Sequence, residues 1–112
     1  MTTSMTDEMM RVQIANARAY TLVILHPTAK RQDPGADQVV WEHGRRNLEL
    51  RRDRRLSIVC PVRDGSNVCG IYVFPGTPEE TGVIMDDDPG VKAGVFTYEV
   101  HACRGFPGDH LP

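Results

Sequence analysis

Residues 86–100 have the sequence DDDPGVKAGVFTYEV, and this stretch decides the fold because it joins a helix to a strand. A residue that precedes proline is pushed out of the α region, so the helix has to end before Asp88. Val95 to Val100 alternates and is rich in β-branched and aromatic residues, which predicts a strand. Three carboxylates at the C-terminal end of a helix are unfavourable because of the helix dipole. We interpret Asp86 and Asp87 as a solvated turn and Asp88 as a candidate functional group.

Outside this stretch, hydrophobic patterns predict the remaining strands and helices. Two segments, YTLVIL at 20–25 and VCGIYVF at 68–74, are apolar on both alternating faces, which predicts central strands. The segment LSIVCP at 56–61 ends in a proline that cannot donate to a ladder, which predicts an edge strand. Thr77 and Glu80 form a capping-box pattern at the start of a helix. The predicted strands are at 19–26, 55–62, 68–74 and 94–102, and the predicted helices at 36–54 and 77–86.

The resulting order, β-α-β-β-α-β, predicts an α+β, ferredoxin-like fold with a four-stranded antiparallel sheet. The first and third strands are central in this fold, and they are the two with apolar residues on both faces. We predict a domain at 19–104, an N-terminal extension at 1–18 that forms a short amphipathic helix or frays, and a C-terminal tail at 105–112. Because the helices cover only one face of the sheet, we expect a homodimer through the helix-free face.

Composition limits the classes of function. The 112-residue chain is 40% hydrophobic and has a formal net charge of −2, which is typical of a globular domain and argues against nucleic acid as a partner. It has no apolar segment long enough for a membrane span and no signal-peptide pattern. Three cysteines without CxxC-type spacing indicate free thiols, so we expect a cytoplasmic protein.

The first predicted helix carries the second candidate residue. Val40, His43, Asn47 and Leu50 lie on one stripe of this helix. The stripe that should face the core therefore contains a histidine and an asparagine. A core histidine satisfied by a backbone carbonyl would explain the histidine alone. Two neighbouring polar residues instead favour a pocket.

His43 and Asp88 are expected to meet at the mouth between the two helices, although they are 45 positions apart. His43 would act as general acid or base, and Asp88 would orient its ring. Asn47 could bind a substrate oxygen. No HxxxH or HxH spacing predicts a metal site, and no nucleotide motif is present. We therefore expect no cofactor.

These residues resemble the YciI-like (YCII-related) family. The resemblance is carried by His43, by the segment at 56–61 and by the block from Asp88 to Val100, and it covers about residues 20–101. It implies a dimeric α/β-barrel protein with a proposed His–Asp site, here His43 and Asp88, and at least one family member looks like a dehydrochlorinase of a chlorinated hydroxyquinol. The chain departs from the family with Cys60 where glycine is common and with Asn47 where an apolar residue is usual. We predict Asn47 and Cys60 as substrate-binding residues.

Two functions follow from these observations. The first is a small cofactor-independent enzyme that uses a His–Asp dyad for acid/base chemistry, of lyase (dehydrochlorinase) or isomerase type, on a small cyclic substrate. The alternative is a non-catalytic module that binds a small ligand or serves in a stress response. Catalysis predicts an open cavity beside the dyad, whereas a purely structural role predicts a sealed histidine.

Overall fold

The computed structural model of this protein describes residues 3–112, in which four strands pair in one sheet and are accompanied by helices. The helices are Asp7–Ala15 (α1), Ala36–Arg52 (α2), Pro78–Asp86 (α3) and Pro89–Lys92 (α4), with a short 3-10 helix at Ala29–Gln32. The strands are Arg18–Pro27 (β1), Ile58–Pro61 (β2), Gly70–Phe74 (β3) and Phe96–Gly105 (β4).

The sheet has the order β2-β3-β1-β4, and every pair of neighbouring strands is antiparallel. This order confirms the predicted ferredoxin-like α+β fold. It also confirms that the first and third strands are central, and that the strand ending in Pro61 lies at an edge. Helix α2 connects β1 to β2, and α3 with α4 connects β3 to β4. Both connections run over the same face of the sheet.

Alternation along the strands decides which side chains enter the core. Val23 and Leu25 of β1 are buried, and so are Tyr72 and Phe74 of β3. They pack with Leu50 of α2 and other buried residues of the helices. The core therefore lies between the helices and one face of the sheet.

The opposite, helix-free face of the sheet is apolar where β1 and β3 pair. In β1 it presents Leu22 and Ile24, which are half-buried, and in β3 it presents Ile71 and Val73 beside them. Ile71 is 36% exposed. This face is the one that we expected to meet a second copy, and we refer to it below as the open sheet face.

Several element bounds differ from the prediction. β2 is only four residues long, whereas β4 continues to Gly105 because it pairs with β1 as far as Arg18. The sheet therefore takes in one residue from each of the segments predicted as extension and tail. The acidic stretch also differs. α3 ends at Asp86, but Asp88 begins a further short helix, α4, which the sequence pattern did not predict.

The N-terminal extension forms a regular helix, α1, capped by the Thr6 hydroxyl, which accepts a hydrogen bond from the Met9 amide at 3.1 Å. The first two residues of the predicted extension, Met1 and Thr2, lie outside the described residues. None of the nine residues of α1, all of them described, is buried. Among residues 3–112, no helix is long and apolar enough to cross a membrane.

Leu56 tests the location of the core. It lies between α2 and β2 and is almost completely buried. Leu56→Ala is expected to lower the free energy of unfolding by about 2–5 kcal/mol, because it removes buried methyl groups and leaves a cavity. Leu111→Ala, a matched change at an exposed leucine of the tail, should change it by less than about 0.5 kcal/mol. Urea denaturation measures both, and equal losses would contradict this description of the core.

Candidate functional site

The inward stripe of α2 places His43 in the protein interior. The buried residues of α2 are Ala36, His43, Asn47 and Leu50, and their spacing is that of one helical face. His43 is only 6% exposed, and its ring packs against Phe96 with the ring centroids 4.8 Å apart. The histidine is therefore held by the core on one side and by polar partners on its two ring nitrogens.

Asp88 is the partner of the first ring nitrogen. His43 Nδ1 lies 2.8 Å from both carboxylate oxygens of Asp88, which is fully buried. The Oδ2 atom also accepts hydrogen bonds from the backbone amides of Gly90 and Val91, at 2.9 and 3.1 Å. Arg46 Nη1 lies 3.8 Å from Oδ1. The carboxylate is thus surrounded by donors, an arrangement that satisfies its ionised form.

The second ring nitrogen faces Tyr72 and Asn47. His43 Nε2 lies 3.1 Å from the Tyr72 hydroxyl and 3.2 Å from Asn47 Nδ2. An ionised carboxylate can only accept, so with Asp88 ionised the geometry fits the tautomer in which Nδ1 donates to Asp88 and Nε2 accepts from Tyr72 and Asn47. We expected this nitrogen to face a cavity. Instead, two side chains of the same chain occupy its hydrogen-bonding position.

Tyr72 is a site residue that the sequence analysis did not identify. Burial raises the pKa of its hydroxyl well above the ordinary value, so the group stays protonated and can donate to Nε2. A Cβ at Gly70 would lie 2.7 Å from this hydroxyl, so Gly70 gives it the space that it occupies. The alternation of β3 predicts that residues 70, 72 and 74 share one face. It does not distinguish Tyr72 from an ordinary core residue.

An open groove of about 760 Å³ runs beside the site along the outer side of α2. Asn47 and Gly44 line it, together with four apolar residues and four charged ones: Val40, Trp41, Leu48, Pro61, Asp37, Arg45, Glu49 and Arg52. His43 does not line it. Asn47 both lines the groove and contacts His43 Nε2, and so its side chain separates this ring nitrogen from the groove.

The structure does not bring Cys60 to this site. Cys60 pairs with Ile71 in the ladder between β2 and β3, and neighbouring residues of a strand point to opposite faces. Since Tyr72 faces the helices, Cys60 lies on the open sheet face with Ile71. Cys60, which we predicted as a substrate-binding residue, therefore lies on the other face of the sheet from His43 and Asp88. Asp86 and Asp87 are exposed, as expected of a solvated turn.

A second group of polar side chains lies on the open sheet face around Glu99. His26 Nε2 is 3.1 Å from Glu99 Oε1, and His101 Nε2 is 3.0 Å from Glu99 Oε2. His26 Nδ1 is 2.7 Å from the backbone carbonyl oxygen of Asn67. Within the described part of the chain, no cluster of three or more His, Cys, Asp or Glu side chains has the arrangement of a metal site. We therefore interpret this group as an ion-pair cluster.

His26 should titrate at higher pH than an ordinary histidine. The Asn67 carbonyl and then the Glu99 carboxylate raise its pKa from the usual 6.5, since both ring nitrogens face acceptors. The contacts of protonated His26 with Asn67 and Glu99 thus stabilise the fold fully below pH 6.5. This stabilisation is lost as the pH rises through the pKa of His26 in the folded state. Glu99→Gln should lower the pKa only part of the way, because the Asn67 carbonyl remains, whereas Glu79→Gln should leave it unchanged. NMR titration of the imidazole protons measures this, and a pKa unaffected by Glu99→Gln would contradict the contact.

Two glycines near the dyad provide a matched test of its packing. A Cβ at Gly90 would lie 2.5 Å from Phe96 Cδ2 and 3.0 Å from Asp88 Oδ2, whereas a Cβ at Gly44 would meet no described atom within 4 Å. Gly90→Ala is expected to destabilise the fold by about 1–3 kcal/mol through overpacking. Gly44→Ala should stabilise it by up to about 1 kcal/mol, because alanine favours the helix interior. Thermal unfolding compares them, and equal effects would contradict the close packing at Gly90.

Comparison with known proteins supports the fold. No protein-family model matches the chain, and no curated protein matches it significantly. A solved structure of similar fold is the 5-chloro-2-hydroxyhydroquinone dehydrochlorinase TftG from Burkholderia phenoliruptrix AC1100, in complex with 2,5-dihydroxybenzoquinone. The TM-score is 0.50 and the sequences are 17% identical, over 73% of this chain and 90% of that one. At this identity the likeness shows a common fold and nothing about the reaction.

Proposed function

We propose that this protein is a YciI-like, cofactor-independent enzyme that uses His43 and Asp88 for acid/base chemistry of lyase or isomerase type on a small cyclic substrate. The observation that carries the proposal is the contact of His43 Nδ1 with both oxygens of the buried Asp88 carboxylate at 2.8 Å. A carboxylate that fixes the tautomer of a histidine is the arrangement that a general base requires.

In this proposal each residue has a separate role. Asp88 holds the proton on Nδ1 and stabilises the imidazolium that forms when Nε2 accepts a proton from the substrate. Tyr72, which donates to Nε2 in the structure, orients the ring from the other side. In an elimination of HCl, the imidazole would take a proton from the substrate, the electron pair left behind would form the new double bond, and chloride would leave with the electron pair of the C–Cl bond.

Asn47 is the residue that we propose at the substrate entrance. Its side chain lies between Nε2 and the groove along α2. A substrate in the groove would reach Nε2 when a polar group of the substrate takes the position of the Asn47 amide. Val40 and Pro61 line the groove together with Asn47, and their apolar side chains suit the carbon ring of a cyclic substrate.

The alternative is a non-catalytic module that binds a small ligand in the same groove. It is favoured by the burial of His43 and by the engagement of Nε2 with two side chains of its own chain. A histidine with both nitrogens satisfied stabilises the fold without any reaction. The two functions differ in one respect: only catalysis needs Asn47 to move away from Nε2.

For either function we propose a homodimer through the open sheet face. Leu22, Ile24, Ile71 and Val73 form a continuous apolar surface there, because they alternate with the core residues of two neighbouring strands. Specific interfaces bury about 1,600 Å² in total, and one face of a four-stranded sheet can contribute a large part of that area. Cys60 would lie within this contact and not in a substrate site.

The direct test uses the substrate named for the similar structure as a probe. When 5-chloro-2-hydroxyhydroquinone is added, chloride release above the uncatalysed rate is expected from the wild-type protein. His43→Ala should lose about 10²–10⁴ in rate, the usual contribution of a general acid–base group. His110→Ala, a matched change in the exposed tail, should keep the wild-type rate. Chloride release that is equal in wild type and His43→Ala would contradict this reaction.

Asp88→Asn and a binding measurement separate catalysis from binding alone. Asn caps a helix about as well as Asp, so Asp88→Asn should keep the start of α4 while weakening the hold on His43. Catalysis then predicts a loss of activity much larger than the loss of stability, whereas a purely structural pair predicts a lower melting temperature with ligand binding intact. If 2,5-dihydroxybenzoquinone binds to the wild type and to His43→Ala alike, with no chloride release from either, the binding module is the correct function.

A further inference from the structure

Gly44 lies in the middle of α2, where a glycine weakens the helix. Such a glycine costs about 1 kcal/mol relative to alanine. Gly90, in α4, has a reason within the chain, because a Cβ there would lie 2.5 Å from Phe96 Cδ2. At Gly44, a Cβ would meet no described atom within 4 Å. The described part of the chain therefore does not use the space that Gly44 leaves open.

Gly44 forms a recess in the wall of the open groove. Val40 and Trp41 precede it by four and three residues. Asn47 and Leu48 follow it by three and four residues, and these spacings place all four side chains around it on the helix surface. All five residues line the groove. The helix backbone at Gly44 is therefore the floor of a recess that larger side chains surround.

We propose that the groove binds the planar ring of an uncharged aromatic compound flat against α2 at Gly44, which makes Gly44 a specificity-determining residue. The inference rests on the proposed function in one respect, that a small cyclic ligand binds in this groove. The groove volume of about 760 Å³ lies within the roughly 300–1,000 Å³ of small-molecule sites. Without a side chain at position 44, a flat ring contacts the helix backbone, whereas a puckered, saturated ring is too thick to lie as close.

The side chains around Gly44 suit an aromatic ring with a hydroxyl or carbonyl substituent. Trp41 is 66% exposed, so its indole is available to a ligand ring, and such aromatic pairs contribute about 0.5–1.5 kcal/mol beyond their buried area. Leu48, on the other side of Gly44, is 60% exposed and adds apolar surface. The amide of Asn47 can donate a hydrogen bond to a substituent oxygen at the edge of the ring.

The charges of the groove favour an uncharged ligand. Two arginines and two carboxylates line it, so their formal charges cancel. Arg45 Nε already donates to Glu42 at 3.1 Å, and Arg52 Nε donates to Asp53 at 2.9 Å. An anionic ligand would have to compete with these carboxylates for the arginines, whereas a neutral ring leaves both ion pairs in place.

Phenol and cyclohexanol test the preference for a planar ring, because each carries one hydroxyl on a six-carbon ring and only phenol is flat. In an NMR titration up to about 20 mM, the range in which so small a ligand binds, phenol should shift the signals of the Gly44 amide and the indole N–H of Trp41, the only tryptophan. Cyclohexanol should bind about five-fold or more weakly, a difference of roughly 1 kcal/mol. Equal affinities, or no shift at either residue with phenol, would overturn the proposal.

Gly44→Leu fills the recess and should change stability and binding in opposite directions. Leucine favours the helix interior over glycine, so the melting temperature should not fall, whereas the Kd for phenol should rise by about ten-fold or more. Gly82→Ala is the matched control in α3: its Cβ would make only an ordinary contact, 3.7 Å from the Tyr98 hydroxyl, and Gly82 does not line the groove. It should keep the wild-type Kd. A folded Gly44→Leu variant that binds phenol as tightly as wild type would overturn the proposal.

Binding and chloride release are measured separately, so this inference and the proposed function fail separately. If phenol binds at Gly44, Gly44→Leu abolishes that binding and no chloride is released in the assay described above, the inference stands and the catalytic function falls. If chloride is released, and Gly44→Leu changes neither the rate of release nor the Kd for phenol, the catalytic function stands and this inference is overturned.

Discussion

A fully buried carboxylate, that of Asp88, is the constraint on which the arrangement of this protein depends. A charge in a protein interior is costly unless donors surround it. Here they come from two directions: the backbone amides of Gly90 and Val91 at the start of α4, and Nδ1 of His43 on α2. The same group therefore starts one helix and fixes the position of another. Neither contact can be lost without leaving the charge partly unsatisfied.

The hydrogen-bond contacts that begin at Asp88 continue on the other side of the His43 ring. With the proton held on Nδ1, the Nε2 atom becomes an acceptor, and Tyr72 and Asn47 supply donors to it. The chain of contacts thus joins the turn before α4, the middle of α2 and the central strand β3. A site of this kind is preorganised, because packing and hydrogen bonds fix every member. It is also closed in the single chain, and the side chain of Asn47 is the boundary between the ring and the groove.

The sequence predicted the features that depend on local chemistry. Apolar residues on both faces identified the central strands β1 and β3, and the Asp88–Pro89 bond required an end to α3. The periodicity of α2 placed His43 and Asn47 inward. The features that the sequence did not predict depend on residues distant in sequence or on an element too short to show a pattern. The contact of Tyr72 with His43 needs the register between β1 and β3 and the space above Gly70, and α4 is too short for any periodic signal.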